Sequence, residues 1–291
     1  MIQGRNEPKN IPSLRGERKQ ILIVDPCLIQ PEVDAYNLLN RMVFDLSRSE
    51  KSSLSALQFC LPNLGKHRIC DVADKMDVAG IIALGSYANV ADSHSWIKEM
   101  RSDLAPFLFE KKTPFLGICF SHQLLADMFG NDVSFLRNRA FVPEGKYTGF
   151  RNSKIVHPKI ATLFAKMSDA DFWSDNEVDR EFAFAAKAMS QWDLQDWRQL
   201  EKNDVGQRYA RFLKKYTPSE FVAEVRHEQE VLLLKNPDLL LGATSEECVV
   251  DALVHRSLPI FSVQAHPESV HESFDGWRFL KNFIYFCSLV N

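Results

Sequence analysis

The stretch that decides the fold runs from residue 114 to residue 123 and reads PFLGICFSHQ. Its first half is a short continuous apolar run, which is typical of a strand buried on both faces of a parallel sheet. From Gln123 the apolar residues follow helical spacing until Gly130-Asn131, a helix C-terminal signal. The sequence therefore predicts a strand that passes into a helix, with Cys119 at the turn between them.

Similar apolar runs recur along the chain and alternate with stretches of helical period. They predict further strands at 21–24, 80–84, 221–225, 239–241, 248–250 and 259–263, and helices at 33–46, 93–110 and about 272–289. Strands that alternate with helices predict an α/β fold with a doubly wound, mostly parallel sheet flanked by helices, of the flavodoxin-like kind.

Two segments interrupt this rhythm. Residues 1–19 are polar and predict a flexible tail, which leaves residues 20–291 as one domain. Residues from about 168 to 218 are rich in Asp, Gln, Arg and Trp and have helical spacing, so we expect an inserted helical segment. Its tryptophans are expected to serve packing; they are Trp173, Trp192 and Trp197.

Composition excludes several classes of protein. The 35 basic and 38 acidic side chains give a net charge of −3, which provides no electrostatic footprint for nucleic acid or a membrane surface. No apolar run suits a signal peptide or a membrane span, so we expect a cytoplasmic protein. The sequence contains no dinucleotide-binding motif and no phosphate-binding loop, so we expect no cofactor. The cysteines form no CxxC pair and no zinc-like spacing, which argues against a metal; they are Cys27, Cys60, Cys70, Cys119, Cys248 and Cys287.

The context of Cys119 is that of a nucleophile elbow. A tight strand-to-helix turn needs small residues two positions away on each side, and Gly117 and Ser121 meet that need. The helix N-terminus also favours a thiolate. A free cysteine is more often buried and inert. This segment alone therefore favours a catalytic Cys119 and a structural Cys119 equally.

A second motif supplies what a cysteine nucleophile needs. The stretch from 261 to 268 reads FSVQAHPE and follows a predicted strand. His266 can act as the base, and Glu268 can orient it, because Pro267 fixes the turn between them. A single histidine near a strand end is more often structural, but the combination with the Cys119 elbow is far more specific.

Together the two motifs resemble those of the class I glutamine amidotransferase family, a Gly-x-Cys-x-Gly-His-Gln elbow and a late His-Pro-Glu. The resemblance covers about 20–165 and 219–290 and is greatest to a stand-alone branch similar to the glutaminase domain of GMP synthase. It implies that Cys119 attacks the glutamine side-chain amide, that His266 transfers the proton and that Glu268 orients His266. A γ-glutamyl thioester would then be hydrolysed.

The resemblance also implies the residues around this triad. The backbone N–H of Phe120 would form one half of an oxyanion hole, and the N–H of Ser86 the other half. Ser86 and Tyr87 stand where the family has the second glycine and the proline of a Gly-Gly-Pro turn. The implied substrate contacts are Gln123, Gly85, Tyr87 and His227.

Three functions remain open at this point. The first is a glutaminase that passes ammonia to a separate synthase. The second is a γ-glutamyl peptide hydrolase or transpeptidase that uses the same thioester. The third, from a different class, is a non-catalytic binding protein on the same fold, against which the intact Cys119, His266 and Glu268 argue.

Overall fold

The computed structural model describes residues 18–28, 30–48, 53–61, 68–73, 75–136, 147–166, 177–191, 203–269 and 274–290. The tail expected over residues 1–19 lies outside these ranges except for its last two residues. The three tryptophans of the expected insert also lie outside the described residues.

Eleven strands and eight α-helices make up the described chain. The strands are β1 (Lys19–Asp25), β2 (Leu54–Cys60), β3 (Val78–Ala83), β4 (Phe115–Ile118), β5 (Asp132–Phe135), β6 (Tyr147–Ile155), β7 (Glu220–His227), β8 (Gln229–Leu233), β9 (Leu239–Thr244), β10 (Ala252–His255) and β11 (Ile260–Val263). The helices are α1 (Val33–Arg48), α2 (Ile69–Ala73), α3 (Ser95–Ala105), α4 (Phe120–Met128), α5 (Pro158–Leu163), α6 (Glu177–Gln191), α7 (Asp204–Tyr216) and α8 (Phe274–Val290).

Nine strands form one mixed sheet in the order β2-β1-β3-β4-β11-β10-β9-β6-β7. The pairs from β2 to β11 are parallel, and the pairs from β11 to β7 are antiparallel. β5 and β8 form a separate antiparallel pair. The predicted doubly wound sheet flanked by helices is confirmed, and an antiparallel half extends its parallel core.

Both faces of the parallel half are covered, which explains its unbroken apolar runs. In β1, Ile21 and Ile23 pack into a core that includes α1 and α8, whereas Leu22 and Val24 pack into a second core with α3 and α4. Successive side chains of a strand point to opposite faces, so a strand between two helical layers must be apolar at every position.

The segment expected to be a helical insert contains α6 and α7 within the described residues. Asn203 caps α7 by accepting a hydrogen bond from the Gly206 amide at 2.8 Å. Phe182 of α6 stacks on Tyr285 of α8, with ring centroids 5.5 Å apart. The two helices therefore belong to the same core as α8.

One predicted strand was wrong. Residues 248–250 are irregular and form no strand. They end a short loop from Ser245, whose N–H donates to the Cys248 carbonyl at 2.9 Å. The Ser245 hydroxyl also accepts from the Cys248 N–H at 3.1 Å. These local hydrogen bonds compete with a strand ladder, and β10 begins only at Ala252.

In the part of the chain that the structure describes, no helix is both long and apolar enough to cross a membrane.

Candidate active site

The turn at Cys119 has the strained backbone of a nucleophile elbow. Its φ is 49° and its ψ is −104°, between the end of β4 and the start of α4. A Cβ on Gly117 would lie 2.8 Å from the Ser121 carbonyl oxygen. The Ser121 hydroxyl donates to the Leu84 carbonyl at 2.6 Å. The two small residues therefore let strand and helix approach closely enough to hold Cys119 in this conformation.

The sheet brings the second motif to the same place. β11 pairs in parallel with β4, with Val263 opposite Ile118, and the Cys119 N–H donates to the Val263 carbonyl at 2.9 Å. The Nδ1 of His266 lies 2.8 Å from the Oε1 of Glu268. Because parallel strands end at the same edge, the residues that follow β4 and β11 meet there.

The pKa of His266 is consistent with a base that accepts the proton of the Cys119 thiol. Burial alone lowers the pKa of His266, but the negative charges of Cys119 and Glu268 outweigh it and raise that pKa well above the usual value. Nδ1 is committed to Glu268, while Nε2 has no hydrogen-bond partner among the described residues. The side chain as a whole is 22% exposed, but Nε2 itself is buried.

Two groups that the sequence analysis did not single out contact the Cys119 sulfur. The thiol lies 3.6 Å from the carbonyl oxygen of Arg226, and Gln264 Nε2 lies 3.6 Å from the same sulfur. Gln264 precedes His266 by two residues, so the alternation of an extended chain places both on one side. That spacing is the signal that would have identified Gln264.

Gln123 supports Gln264. Its amide nitrogen donates to the Gln229 carbonyl at 2.8 Å and to the Gln264 side-chain oxygen at 3.0 Å. Both amide hydrogens are used within the protein, so the substrate contact expected of Gln123 would have to come from its side-chain oxygen.

The turn after β3 lies against the Cys119–His266 pair. A Cβ on Gly85 would lie 3.0 Å from His266 Cε1 and 3.4 Å from Cys119 Cβ. The Ser86 hydroxyl donates to the Pro26 carbonyl at 2.6 Å and accepts from the Ala88 N–H at 3.1 Å. Among the described residues, only Lys112 and Cys119 are non-glycine residues with positive φ, so Ser86 needs no glycine-like backbone. Tyr87 is exposed, and its side chain lies beside that of Arg226.

His227 has a different environment from the one expected of a substrate contact. Its Nδ1 lies 2.8 Å from the Gln229 carbonyl, and its Nε2 lies 3.2 Å from an Arg151 nitrogen. A ring that donates from Nδ1 and accepts at Nε2 is neutral. Desolvation, with the charge of Arg151, lowers the pKa of His227 to about 3. Both ring nitrogens thus bind protein groups, and the substrate contact expected of His227 stays a prediction.

The edge strand of the antiparallel half reaches back to this site. The Glu224 carbonyl of β7 accepts a hydrogen bond from the His266 N–H at 2.7 Å. Arg226, two residues further along β7, provides the carbonyl beside Cys119. The site is thus closed by β7 on one side and by the Gly85 turn on another.

Residues 62–286 match the family model described as glutamine amidotransferase class-I. The chain belongs to this family. The match confirms the family resemblance that the Cys119 and His266-Pro267-Glu268 motifs indicated. As a glutamine amidotransferase of class I, the chain carries the Cys119 elbow on the strand-to-helix turn of a doubly wound sheet.

Curated relatives and solved structures agree with this family. The chain is 27% identical over 193 residues to a glutamine-hydrolysing GMP synthase subunit of Methanococcus aeolicus, covering 66% of this chain and 70% of that relative. It is 40% identical over 176 residues to the corresponding protein of Methanocaldococcus jannaschii, covering 60% of this chain and 61% of that relative. The crystal structure of a GMP synthase subunit protein from Thermoplasma acidophilum superposes with a TM-score of 0.56 at 17% identity, covering 94% and 96% of the two chains. This last likeness shows the fold alone.

Proposed function

We propose that this class I glutamine amidotransferase hydrolyses the side-chain amide of glutamine and delivers the ammonia to a separate acceptor enzyme. The observation that carries the proposal is the juxtaposition of Cys119 and His266 against Gly85, with Glu268 bound to the far nitrogen of the imidazole. Relatives named as subunits of a glutamine-hydrolysing GMP synthase support a synthase as the acceptor.

In the proposed reaction, the Cys119 thiol proton passes to Nε2 of His266, and the resulting thiolate attacks the amide carbon. The developing oxyanion accepts hydrogen bonds from the N–H groups of Phe120 and Ser86. Phe120 is the first residue of α4, and amides of a first helical turn have no acceptor within the helix. Collapse of the adduct then leaves a γ-glutamyl thioester, and the nitrogen leaves as ammonia with the proton from His266.

A water molecule completes the cycle. His266 takes one proton from the water as its oxygen attacks the thioester carbon. The carbon–sulfur bond breaks, glutamate leaves, and the proton returns to the Cys119 sulfur. Glu268 holds Nδ1 of His266 throughout, so Nε2 always faces the reaction. The cytoplasmic location expected from the sequence remains part of this proposal.

The test is glutaminase activity in the Cys119→Ala variant. We expect release of ammonia and glutamate to fall to background, because no sulfur remains to form the thioester. Cys70→Ala is the matched control, since Cys70 is partly exposed and lies outside the site. Ammonia release that persists in Cys119→Ala would contradict the assignment of the nucleophile.

The acceptor needs a separate experiment. Purified protein should be offered glutamine together with a GMP synthase that lacks its own glutaminase. Amination that depends on glutamine and disappears in Cys119→Ala would support ammonia delivery. Turnover of a γ-glutamyl peptide with no hydrolysis of glutamine would instead favour the peptide hydrolase.

A further inference from the structure

We propose that Asp25, Cys27 and Cys60 form a binding site for a thiophilic divalent cation of the Zn²⁺ type. One ligand atom of each side chain lies within 4.8 Å of the other two, and all three residues are buried. The Cys119, His266 and Glu268 site contributes none of these atoms, so the proposal stands independently of the proposed reaction.

The pairing of two strands creates this cluster. β1 and β2 are parallel neighbours, and Asp25 is the register partner of Cys60 at the point where both strands end. The Leu61 N–H donates to the Asp25 carbonyl at 2.7 Å, which holds the two chain ends together. Cys27 follows two residues after Asp25 and completes the group.

The carboxylate of Asp25 is oriented but incompletely satisfied. Its Oδ2 accepts from the Glu32 N–H at 2.8 Å and from Gln58 Nε2 at 2.9 Å. Its Oδ1 is buried and has no hydrogen-bond partner among the described residues, and Asp25 is 0% exposed. No lysine, arginine or histidine of the described chain forms an ion pair with it. The Cys60 thiol also lies 3.9 Å from Oδ2, so the hydrogen bonds all fall on one oxygen. A buried charge that no cation pairs is costly, and a cation at Oδ1 would supply that pairing.

The ligand types select the cation. Two thiolates favour Zn²⁺ or a close analogue such as Co²⁺, and a carboxylate oxygen is a common third ligand. Three protein ligands leave the fourth tetrahedral corner for water. Gln58 and the Glu32 amide would act as outer groups that orient the ligand. Binding breaks two S–H bonds, forms two sulfur–metal bonds and releases both protons to the buffer.

The position of the cluster suggests what the ion does. Pro26 lies between the two ligands Asp25 and Cys27, and its carbonyl accepts the Ser86 hydroxyl at 2.6 Å. Ser86 follows Gly85, which lies against Cys119 and His266. An ion at this cluster would therefore hold the loop on which the turn beside the active site rests.

The experiment uses the full chain with the Cys119→Ala change, which removes the active-site thiol as a competing ligand. The reduced, metal-stripped protein is titrated with Co²⁺, whose thiolate complexes absorb in the near ultraviolet. We expect about one ion per chain and about two protons released per ion. Cys27→Ser and Cys60→Ser should abolish the absorption, and Gln58→Leu should weaken affinity by roughly 10- to 100-fold.

Cys70→Ser is the matched control and should leave the titration unchanged, because Cys70 lies outside the cluster. Circular dichroism establishes that each variant is folded, and Gln58→Leu keeps the test decisive if a cysteine variant does not fold. Absence of a thiolate–Co²⁺ band in the reduced protein would overturn the proposal. So would a band of wild-type intensity in folded Cys27→Ser and Cys60→Ser, or an unchanged Co²⁺ affinity in Gln58→Leu.

Discussion

At the scale of single residues, the backbone of Cys119 is the most constrained feature of the site. A non-glycine residue in a sparsely populated region of φ and ψ costs about 1–3 kcal/mol, so the surroundings must hold it there. The absent side chain at Gly117 and the Ser121 hydroxyl bond to Leu84 provide that support. Such strain persists where it has a purpose, and here it directs the sulfur towards the carboxyl edge of the sheet.

Gly85 tests how closely the turn must approach the reacting groups. In Gly85→Ala the new methyl would lie 3.0 Å from His266 Cε1, so the ring must move by a few tenths of an ångström. Small displacements of reacting groups are costly, and we expect kcat/KM for glutamine to fall by roughly 10- to 100-fold. Steady-state kinetics measure this, and an unchanged midpoint of urea unfolding would separate it from a loss of stability. Wild-type kcat/KM in Gly85→Ala would contradict the close approach.

Glu268 controls the range of pH in which His266 holds its proton. The Cys119 and Glu268 charges raise the pKa of His266, so the Glu268→Gln variant should lower that pKa. Since the protonated ring is lost as pH rises through its pKa, the alkaline limb of kcat/KM should move to lower pH. The pH–rate profiles of the two proteins provide the measurement. We also expect a loss of about 100-fold or more at neutral pH, and coincident alkaline limbs would argue against this role.

At the scale of elements, the sequence predicted those whose pattern is local. The apolar runs at 21–24, 80–84 and 114–118 coincide with β1, β3 and β4 to within one or two residues, because both faces of these strands are covered. β2 and β6 escaped prediction, since their partly exposed positions break the apolar run. The helix predicted over 93–110 is α only to Ala105 and continues as a π-helix from Pro106.

Part of the site was also predictable, because its residues lie in patterns that are local in the sequence. Cys119, His266 and Glu268 lie in short motifs, and parallel strands bring the two motifs to one edge. Gln264, the Arg226 carbonyl and the Glu224 carbonyl act through contacts across the sheet, which no local pattern encodes. The cluster of Asp25, Cys27 and Cys60 escaped for that reason, because its cysteine spacing is not that of a zinc motif.

The docking of α7 on α5 depends on one buried hydroxyl. Tyr209 Oη lies 2.8 Å from Thr162 Oγ1 and 3.2 Å from the Pro158 carbonyl. Tyr209→Phe should lower the free energy of unfolding by about 1–2 kcal/mol, since buried partners lose a hydrogen bond. Urea unfolding measures the change. Tyr216→Phe is the matched control on the same helix, because its hydroxyl contacts Glu177 on the exposed surface, and an equal effect in both variants would refute the argument.

At the scale of the whole molecule, three buried histidines make the free energy of unfolding depend on pH in the acid range. Desolvation lowers the pKa of His122, His157 and His227 to about 3. The unfolded chain therefore binds more protons than the folded chain between pH 6.5 and 3. The free energy of unfolding has its full value above pH 6.5. It declines as pH falls through that window, by up to about 1.4 kcal/mol per pH unit for each ring.

Urea unfolding at pH 7, 6 and 5 provides the test of this acid dependence. We expect the midpoint to fall steadily across the series, and His122→Gln to flatten the decline relative to wild type. His94→Gln should keep the wild-type slope, because His94 is exposed. A midpoint that is constant from pH 7 to 5 would show that these rings are not held neutral by the fold.

The bond between the His266 amide and the Glu224 carbonyl also has a consequence for solubility. Among the described strands, β7 is the last of the sheet, and an unpaired sheet edge is a template for strand addition by another chain. His266 occupies one acceptor of that edge, and Asp275 Oδ2 accepts from the Val222 N–H at 3.2 Å. A second chain that added to β7 would have to displace the proposed base. Protection against aggregation and integrity of the site therefore depend on the same few atoms.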